Sequence, residues 1–222
     1  MLIDFGYLWN KYKVNATGVL HIGASHGEEA AAYCNNGIVR TIWVEAIPEV
    51  FEKLVHHIAG FPGSVAFNAC VSNKDGEEVI FHVSSNEGQS SSFLELGTHK
   101  VAHPDVSYIR DIKMTTKRVI SLFKENNLDP REYTFLNIDL QGAELLALKG
   151  MNGMLKFIDY AYLEVNKAHL YVGCPLVGEI DEYMGLFDFV RVETLWAGNT
   201  GWGDCFMIKR NLLPNDVIPK HG

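Results

Sequence analysis

The amino-acid sequence predicts an α/β fold: a Rossmann-like, doubly wound and mostly parallel seven-stranded sheet with an antiparallel C-terminal strand. Three features carry that expectation. Short apolar runs alternate with stretches of helical periodicity, several of those runs end in a glycine turn or a carboxylate, and a turn-rich C-terminal segment reads as a hairpin. With 222 residues, 47% of them hydrophobic, the chain can bury one sizeable core. A single domain over 1–222 is expected, with an N-terminal helical segment (1–16), a core (17–210) and a tail (211–222).

Each element has its own local reason. Met1 to Lys13 is amphipathic and aromatic but carries Asp4, Asn10 and Lys11, which suits a helix packed over the sheet and neither a signal peptide nor a membrane span. Val19 to Ile22 is a first strand; it runs into Gly23-Ala24-Ser25-His26-Gly27 and an alanine-rich helical stretch from Glu28 to Cys34. Thr41 to Glu45 is β-branched and aromatic, and Pro48 opens a periodic helix to Ile58. Ser64 to Cys70 fits a third strand, Asn73-Lys74-Asp75-Gly76 is turn chemistry, and Glu78 to Val83 alternates like an exposed strand.

Ser84 to Ser92 is polar and loop-like. Ile112 to Thr116 is extended, Lys117 to Asn126 helical, and Tyr133 to Ile138 a buried strand that closes with Asp139. Gly142 to Gly150 reads as a helix, Tyr160 to Val165 as a buried strand containing Glu164, Leu176 to Leu186 as a helix and Phe189 to Leu195 as a strand. The chain then turns through Gly198-Asn199-Thr200-Gly201 and returns antiparallel to Ile208.

The formal charge of −8, with no cluster of lysine and arginine, argues against nucleic acid as a partner. Cys34, Cys70, Cys174 and Cys205 are scattered without a CxxC pair, as expected of reduced thiols in a cytoplasmic protein without structural zinc. No membrane partner is expected, and the sequence is silent on oligomeric state.

In doubly wound sheets ligands bind beyond the carboxyl ends of the strands, so strand-ending polar residues are the ones to inspect. Gly23 to Gly27, Glu45, Asp139 and Glu164 fall there. A backbone without Cβ approaches a ligand closely, and free N–H groups at a helix start suit the carboxylate of S-adenosylmethionine. The turn is GxxxG rather than GxGxxG, which disfavours a dinucleotide; a turn needed only for packing is the plain alternative. A carboxylate ending the second strand, about twenty positions beyond the glycines, is placed to grip a ribose diol.

The sequence resembles the FkbM-type methyltransferases. The resemblance runs from about Thr17 to the neighbourhood of Asn166, through His21-Ile22-Gly23-Ala24-Ser25-His26-Gly27, Val44-Glu45-Ala46-Ile47-Pro48, Phe67-Asn68-Ala69-Cys70-Val71-Ser72, Ser90-Ser91-Ser92, Thr115-Thr116 and above all Leu136-Asn137-Ile138-Asp139-Leu140-Gln141-Gly142-Ala143-Glu144. It implies S-adenosylmethionine as cofactor, held by His21, Gly23, Ala24, Ser25, Gly27, Glu45, Ala46, Asn68 and Asp139, and O-methylation of a hydroxyl on a sugar, glycan or small natural product. His21 stands where the family usually has aspartate, so the ammonium of the cofactor needs a carboxylate from elsewhere; Gln141 stands where the family has glutamate, which counts against a mechanism that requires a charge at that position.

An alcohol is a poor nucleophile, and its proton must be managed during transfer. Asp139 is the first candidate for general base, followed by Glu164 and His169; Asp139 also suits a helix N-cap, and a lone loop histidine is more often a surface residue. Glu164 lies inside an apolar run, where a carboxylate rarely sits without a partner. Alternatively, Asp139, Glu164 and Asn166 offer oxygen ligands for Mg²⁺, which lowers the pKa of a bound hydroxyl. The Ser84 to Ser92 loop with His99 and His103 is a candidate substrate cover. Tyr108, Arg110, Trp196 and Trp202 are residues that could meet a sugar ring. Two competing functions are an NAD-linked oxidoreductase, which lacks the middle glycine and a Tyr-x-x-x-Lys pair, and a cofactor-binding module without turnover.

Overall fold

The computed structural model describes residues 1–151, 153–214 and 217. Its main sheet contains β1 (Val19–Ile22), β2 (Thr41–Glu45), β3 (Ser64–Asn68), β7 (Phe135–Ile138), β8 (Tyr160–Asn166), β9 (Phe189–Trp196) and β10 (Trp202–Lys209) in the order β3-β2-β1-β7-β8-β10-β9. All pairings from β3 to β8 are parallel, and β10 inserts antiparallel to both β8 and β9. This is the expected fold. The order reverses between β1 and β7, where the two chains leave the sheet in opposite directions and open a crevice at their carboxyl ends.

The central strands are short and buried on both faces, which explains their unbroken apolar runs. Alternate residues feed two cores. Leu20, Ile22, Leu136, Ile138 and Leu163 pack with α5 (Val119–Glu125), α6 (Glu144–Gly150) and α7 (Val177–Gly185). Val19, Trp43, Phe135, Tyr160 and Phe206 pack with α1 (Phe5–Tyr12), α2 (Ala30–Asn35) and α3 (Pro48–Ile58). The N-terminal segment is helical as expected; Asp4 caps α1 by accepting from Tyr7 N at 2.7 Å. Among the described residues no helix is long and apolar enough to cross a membrane.

Several boundaries differ from the sequence reading. The stretch from Ser64 to Cys70 is not one strand: β3 stops at Asn68, whose amide turns back to the carbonyls of Glu45 and Ala46, and β4 (Cys70–Val71) pairs elsewhere. β4, β5 (Glu78–Ser84) and β6 (Tyr108–Lys117) form a second sheet in the order β4-β6-β5, which the sequence did not announce. Its Cys70, Phe81 and Val83 pack with Ile47 beside the end of β2. A short helix, α4 (His99–Ala102), was also not anticipated. Finally, α2 begins only at Ala30 and has six residues, so its N-terminus lies beyond the position expected just after Gly27. The tail expected over 211–222 lies, beyond Pro214 and apart from Val217, outside the described residues.

Candidate active site

A cleft of about 580 Å³ opens at the carboxyl ends of β1, β2, β7 and β8, within the usual size of a small-molecule site. Of the candidate residues, it brings together His21, Gly23, Ala24, Ser25, Glu45, Ala46, Asp139 and Glu164. Gly27, Asn68, His169 and Asn166 do not line it. Gly27 packs under α3, where a Cβ would meet Leu54 Cδ1 at 2.8 Å. Asn68 buttresses the backbone behind Glu45. His169 is turned away by a hydrogen bond from Nδ1 to the Cys174 carbonyl (3.0 Å), and Asn166 is buried beyond the cleft wall with neither amide atom partnered among the described residues.

The glycine turn is shaped by backbone crowding. A Cβ on Gly23 would stand 1.7 Å from the Asp139 carbonyl oxygen, and φ there is +79°. The glycine thus lets β1 and β7 exit side by side, leaving Ala24 and Ser25 at the cleft surface. Ser25 N donates to Glu45 Oε2 (3.0 Å), and Ile47 N donates to Glu45 Oε1 (2.8 Å). Burial raises the Glu45 pKa to about 7, against the pull of those two N–H groups. Each oxygen keeps a further lone pair for a ligand hydroxyl.

His21 is buried on β1 with its ring beside Trp43 (5.0 Å between centroids). Asn137 Nδ2 donates to the Tyr33 hydroxyl (2.8 Å), which leaves Tyr33 to donate to His21 Nδ1 (3.2 Å) and assigns the proton of the ring to Nε2. Burial lowers the His21 pKa, so the ring is neutral and acts as a donor. Two further acidic residues, Glu29 and Asp204, line the cleft wall, and Glu29 is paired with the Met1 ammonium (3.3 Å). Asp204 accepts from Leu2 N (2.6 Å) and from the Tyr162 hydroxyl. Its signal was legible: a charged residue inside the apolar run of β10, like Glu164 inside β8.

Asp139 and Glu164 are joined by Gln141. One Gln141 amide nitrogen donates to Asp139 Oδ1 (2.6 Å) and to Glu164 Oε2 (2.7 Å), and its oxygen accepts from the Tyr171 hydroxyl (2.6 Å). The backbone at Gln141 is left-handed (φ 51°), held there by Glu144, whose Oε1 accepts from Leu140 N and Gly142 N at 2.9 and 3.0 Å. Asp139 is exposed at the cleft mouth, and desolvation by the surrounding walls together with the nearby Asp204 raises its carboxyl to about 6. Burial and Asp139 push Glu164 well above the usual carboxylate range. Near neutral pH the pair therefore shares one proton, with Asp139 the ionised partner. Oxygens of Asp139, Glu144 and Glu164 lie within 4.8 Å of one another, so the third oxygen ligand near a cation would be Glu144 rather than Asn166.

The opposite wall is apolar, built from Ile47, Cys70, Val71, Phe81 and Phe93. Residues 86–91 cover it, and here the serines knit the loop. Ser84 N donates to Ser91 Oγ (2.9 Å), Ser90 N to Ser84 Oγ (3.1 Å) and Asn86 Nδ2 to Ser90 Oγ (3.0 Å). His99, His103 and Trp202 line the far end, whereas Tyr108, Arg110 and Trp196 do not. Tyr108 donates to the Leu94 carbonyl, Arg110 pairs with Glu49, and Trp196 lies under Lys167.

The sequence profile of the methyltransferase FkbM domain matches residues 21–191, which include every strand end just described. This chain belongs to the FkbM methyltransferase family. Among solved structures it is similar to methyltransferase FkbM from Methylobacillus flagellatus KT, with a TM-score of 0.54 and 14% identity over 86% of this chain and 43% of that one. The family domain here thus spans less than half the length of that relative. Two further structures share the fold. M. capricolum TrmK in complex with S-adenosylhomocysteine has a TM-score of 0.50 and 9% identity over 95% of this chain and 70% of that one. Magnesium protoporphyrin IX methyltransferase from Synechocystis PCC 6803, with bound S-adenosylmethionine, has a TM-score of 0.50 and 8% identity over 92% and 75%. No curated protein matches the sequence.

Proposed function

We propose that this FkbM-family chain is an S-adenosylmethionine-dependent O-methyltransferase acting on a hydroxyl of a small molecule or glycan. The observation that carries the reading is the Asp139–Gln141–Glu164 arrangement, an ionised carboxylate with a pKa near 6 in the same cleft as Glu45 and the Gly23 turn.

The residues fit the cofactor. Glu45 offers two carboxylate oxygens to a ribose diol, and Ile47, Phe81 and Phe93 offer an apolar wall to an adenine. His21 Nε2–H suits the carboxylate of the methionine end, and Glu29 and Asp204 suit its ammonium. When bound, S-adenosylmethionine supplies a methyl group on a sulfonium, so that a new O–C bond forms as the S–C bond breaks and a thioether leaves.

Asp139 accepts the acceptor's hydroxyl proton as that bond forms. A base near pKa 6 is ionised at neutral pH while keeping useful basicity. Gln141 donates to both Asp139 and Glu164, and Glu164, held well above the usual carboxylate range, does not compete as the base. The Mg²⁺ alternative would use Asp139 and Glu164, but the Gln141 amide already donates to both carboxyl groups, which lowers their need of a cation. We therefore favour general-base chemistry.

Calorimetric titration with S-adenosylhomocysteine tests the reading, with Glu45→Ala as the disabled variant and NAD as control. Binding that Glu45→Ala abolishes is expected. Failure of the folded wild type to bind would sink it, and binding of NAD instead would favour an oxidoreductase.

A further inference from the structure

With the glycine turn, Glu45 and the apolar wall given to the cofactor, the far end of the cleft remains, and the inference drawn from it rests on the function proposed above. That end is closed by His99, His103, Leu170, Tyr171 and Trp202. Its position is fixed by main chain. Gly97 N and His99 N donate to the Leu170 carbonyl (2.7 and 3.2 Å), and Thr98 N donates to that of His169 (3.0 Å). α4 is therefore clamped to the segment that follows β8, directly beyond Glu164.

Two independent observations describe what this end accepts. The first is His99. Its imidazole is 4% exposed and packs on His103 (4.8 Å between centroids) and Tyr171 (5.4 Å), yet Nδ1 is buried without a hydrogen-bond partner among the described residues. Burial first, and the neighbouring His103 second, bring its pKa down to about 4, so the ring is neutral and able both to donate and to accept. Buried polar groups are normally satisfied, and one that lines a ligand cleft without a partner in the protein is suited to a partner that enters it.

The second is charge. The described residues lining the cleft include seven carboxylates (Glu28, Glu29, Glu45, Glu87, Asp139, Glu164 and Asp204) and neither lysine nor arginine. Sites that hold phosphate or carboxylate groups supply Arg, Lys or a helix N-terminus. The Met1 ammonium also lines the cleft but is already paired with Glu29 (3.3 Å), so an anionic acceptor here would be desolvated beside Asp139 and Asp204 with no unpaired lysine, arginine or ammonium among the described lining residues to meet it.

We propose that the His99 end of the cleft is the acceptor subsite, that it takes a hydroxylated molecule bearing no phosphate or carboxylate, and that His99 hydrogen-bonds one of its hydroxyls. Tyr171 and Trp202 give the acceptor ring an apolar surface beside that polar contact.

Matched acceptors that differ only in an anionic group test this. Methyl glycosides, inositol and simple phenols are assayed for transfer from labelled S-adenosylmethionine beside their phosphate monoesters, after S-adenosylhomocysteine binding has been measured on the same protein. Transfer is expected only to uncharged members, and His99→Phe is expected to raise the acceptor KM at least tenfold with cofactor affinity within twofold. His99→Gln, which can still donate and accept, should recover part of the loss. Equal transfer to the phosphorylated members overturns the charge argument, whether or not any His99 variant folds. An unchanged KM in His99→Phe overturns the role of His99. No transfer to any member by protein that binds S-adenosylhomocysteine overturns the acceptor class and spares the cofactor reading, whereas absence of that binding overturns the function beneath it.

Discussion

Asp204 stands directly opposite Glu164 in the antiparallel ladder between β10 and β8, so both carboxylates project from the same face of the sheet. A like-charged pair on adjacent strands is unfavourable unless a proton or a donor intervenes. Here Tyr162 and Leu2 N donate to Asp204, and Gln141 donates to Glu164. Desolvation is the main reason that both Glu164 and Asp139 lie above the usual carboxylate range, and the field of Asp204 adds to it.

Removing the base isolates its contribution. Asp139→Asn keeps shape but cannot accept the proton, and kcat should fall by roughly 10²–10⁴-fold with a much smaller change in cofactor affinity. In the wild type kcat/KM should rise with pH through about 6 as Asp139 ionises. A flat profile, or an active Asp139→Asn variant, would move the base elsewhere.

Glu45 makes cofactor binding depend on pH. A diol donates to the ionised carboxylate, so binding draws the Glu45 pKa down from about 7. Affinity for S-adenosylhomocysteine should therefore fall as pH drops from 8 to 6. In Glu45→Gln the affinity should be weaker and this dependence lost, as calorimetry at the two pH values would read.

The Gln141 clamp yields a pair of expectations. Treatment of the wild type with EDTA should leave methyl transfer unchanged, since the amide spans the two carboxylates that a cation would bridge. Gln141→Glu replaces two donated bonds by a further negative charge, so it should lower stability by about 1–3 kcal/mol in urea titrations and shift the kcat/KM profile to higher pH. Abolition of wild-type turnover by EDTA, restored by Mg²⁺, would return the metal mechanism to first place.

Stability should fall as pH rises from about 4.5 through 7 by way of Glu45 and Glu144, and above 7 chiefly by way of Glu164. Glu45 and Glu144, each near 7, and Glu164, higher still, hold protons in the folded state that the unfolded chain has already released near 4.5. The folded state binds more protons, so unfolding free energy decreases with pH across that window. His21 and His99 act in the opposite sense at lower pH, where the unfolded chain takes up their protons first. Thermal unfolding should therefore show a lower Tm at pH 8.5 than at pH 7, and Glu164→Gln should flatten that fall.

By itself the sequence determined the strand order of chemistry: which apolar runs are central strands, and that Gly23, Glu45, Asp139 and Glu164 end or punctuate them. Those are local facts, since a run buried on both faces is apolar throughout and a polar residue within or after it is conspicuous. Only the tertiary structure decided which of these residues meet. β1 and β7 are over one hundred positions apart yet adjacent in register, Val19 beside Phe135, and Asp204 reaches Glu164 only because β10 inserts between β8 and β9. His169 and Asn166 were candidates after Asp139 in one dimension; a backbone hydrogen bond turns the first away, and the second does not line the cleft. The Gln141 clamp was equally hidden, because the left-handed turn that aims its amide at two carboxylates is set by Glu144, three residues on, and by packing against the segment after β8. Periodicity records which face a residue takes, whereas the direction of a side chain in a loop is fixed by contacts distant in sequence.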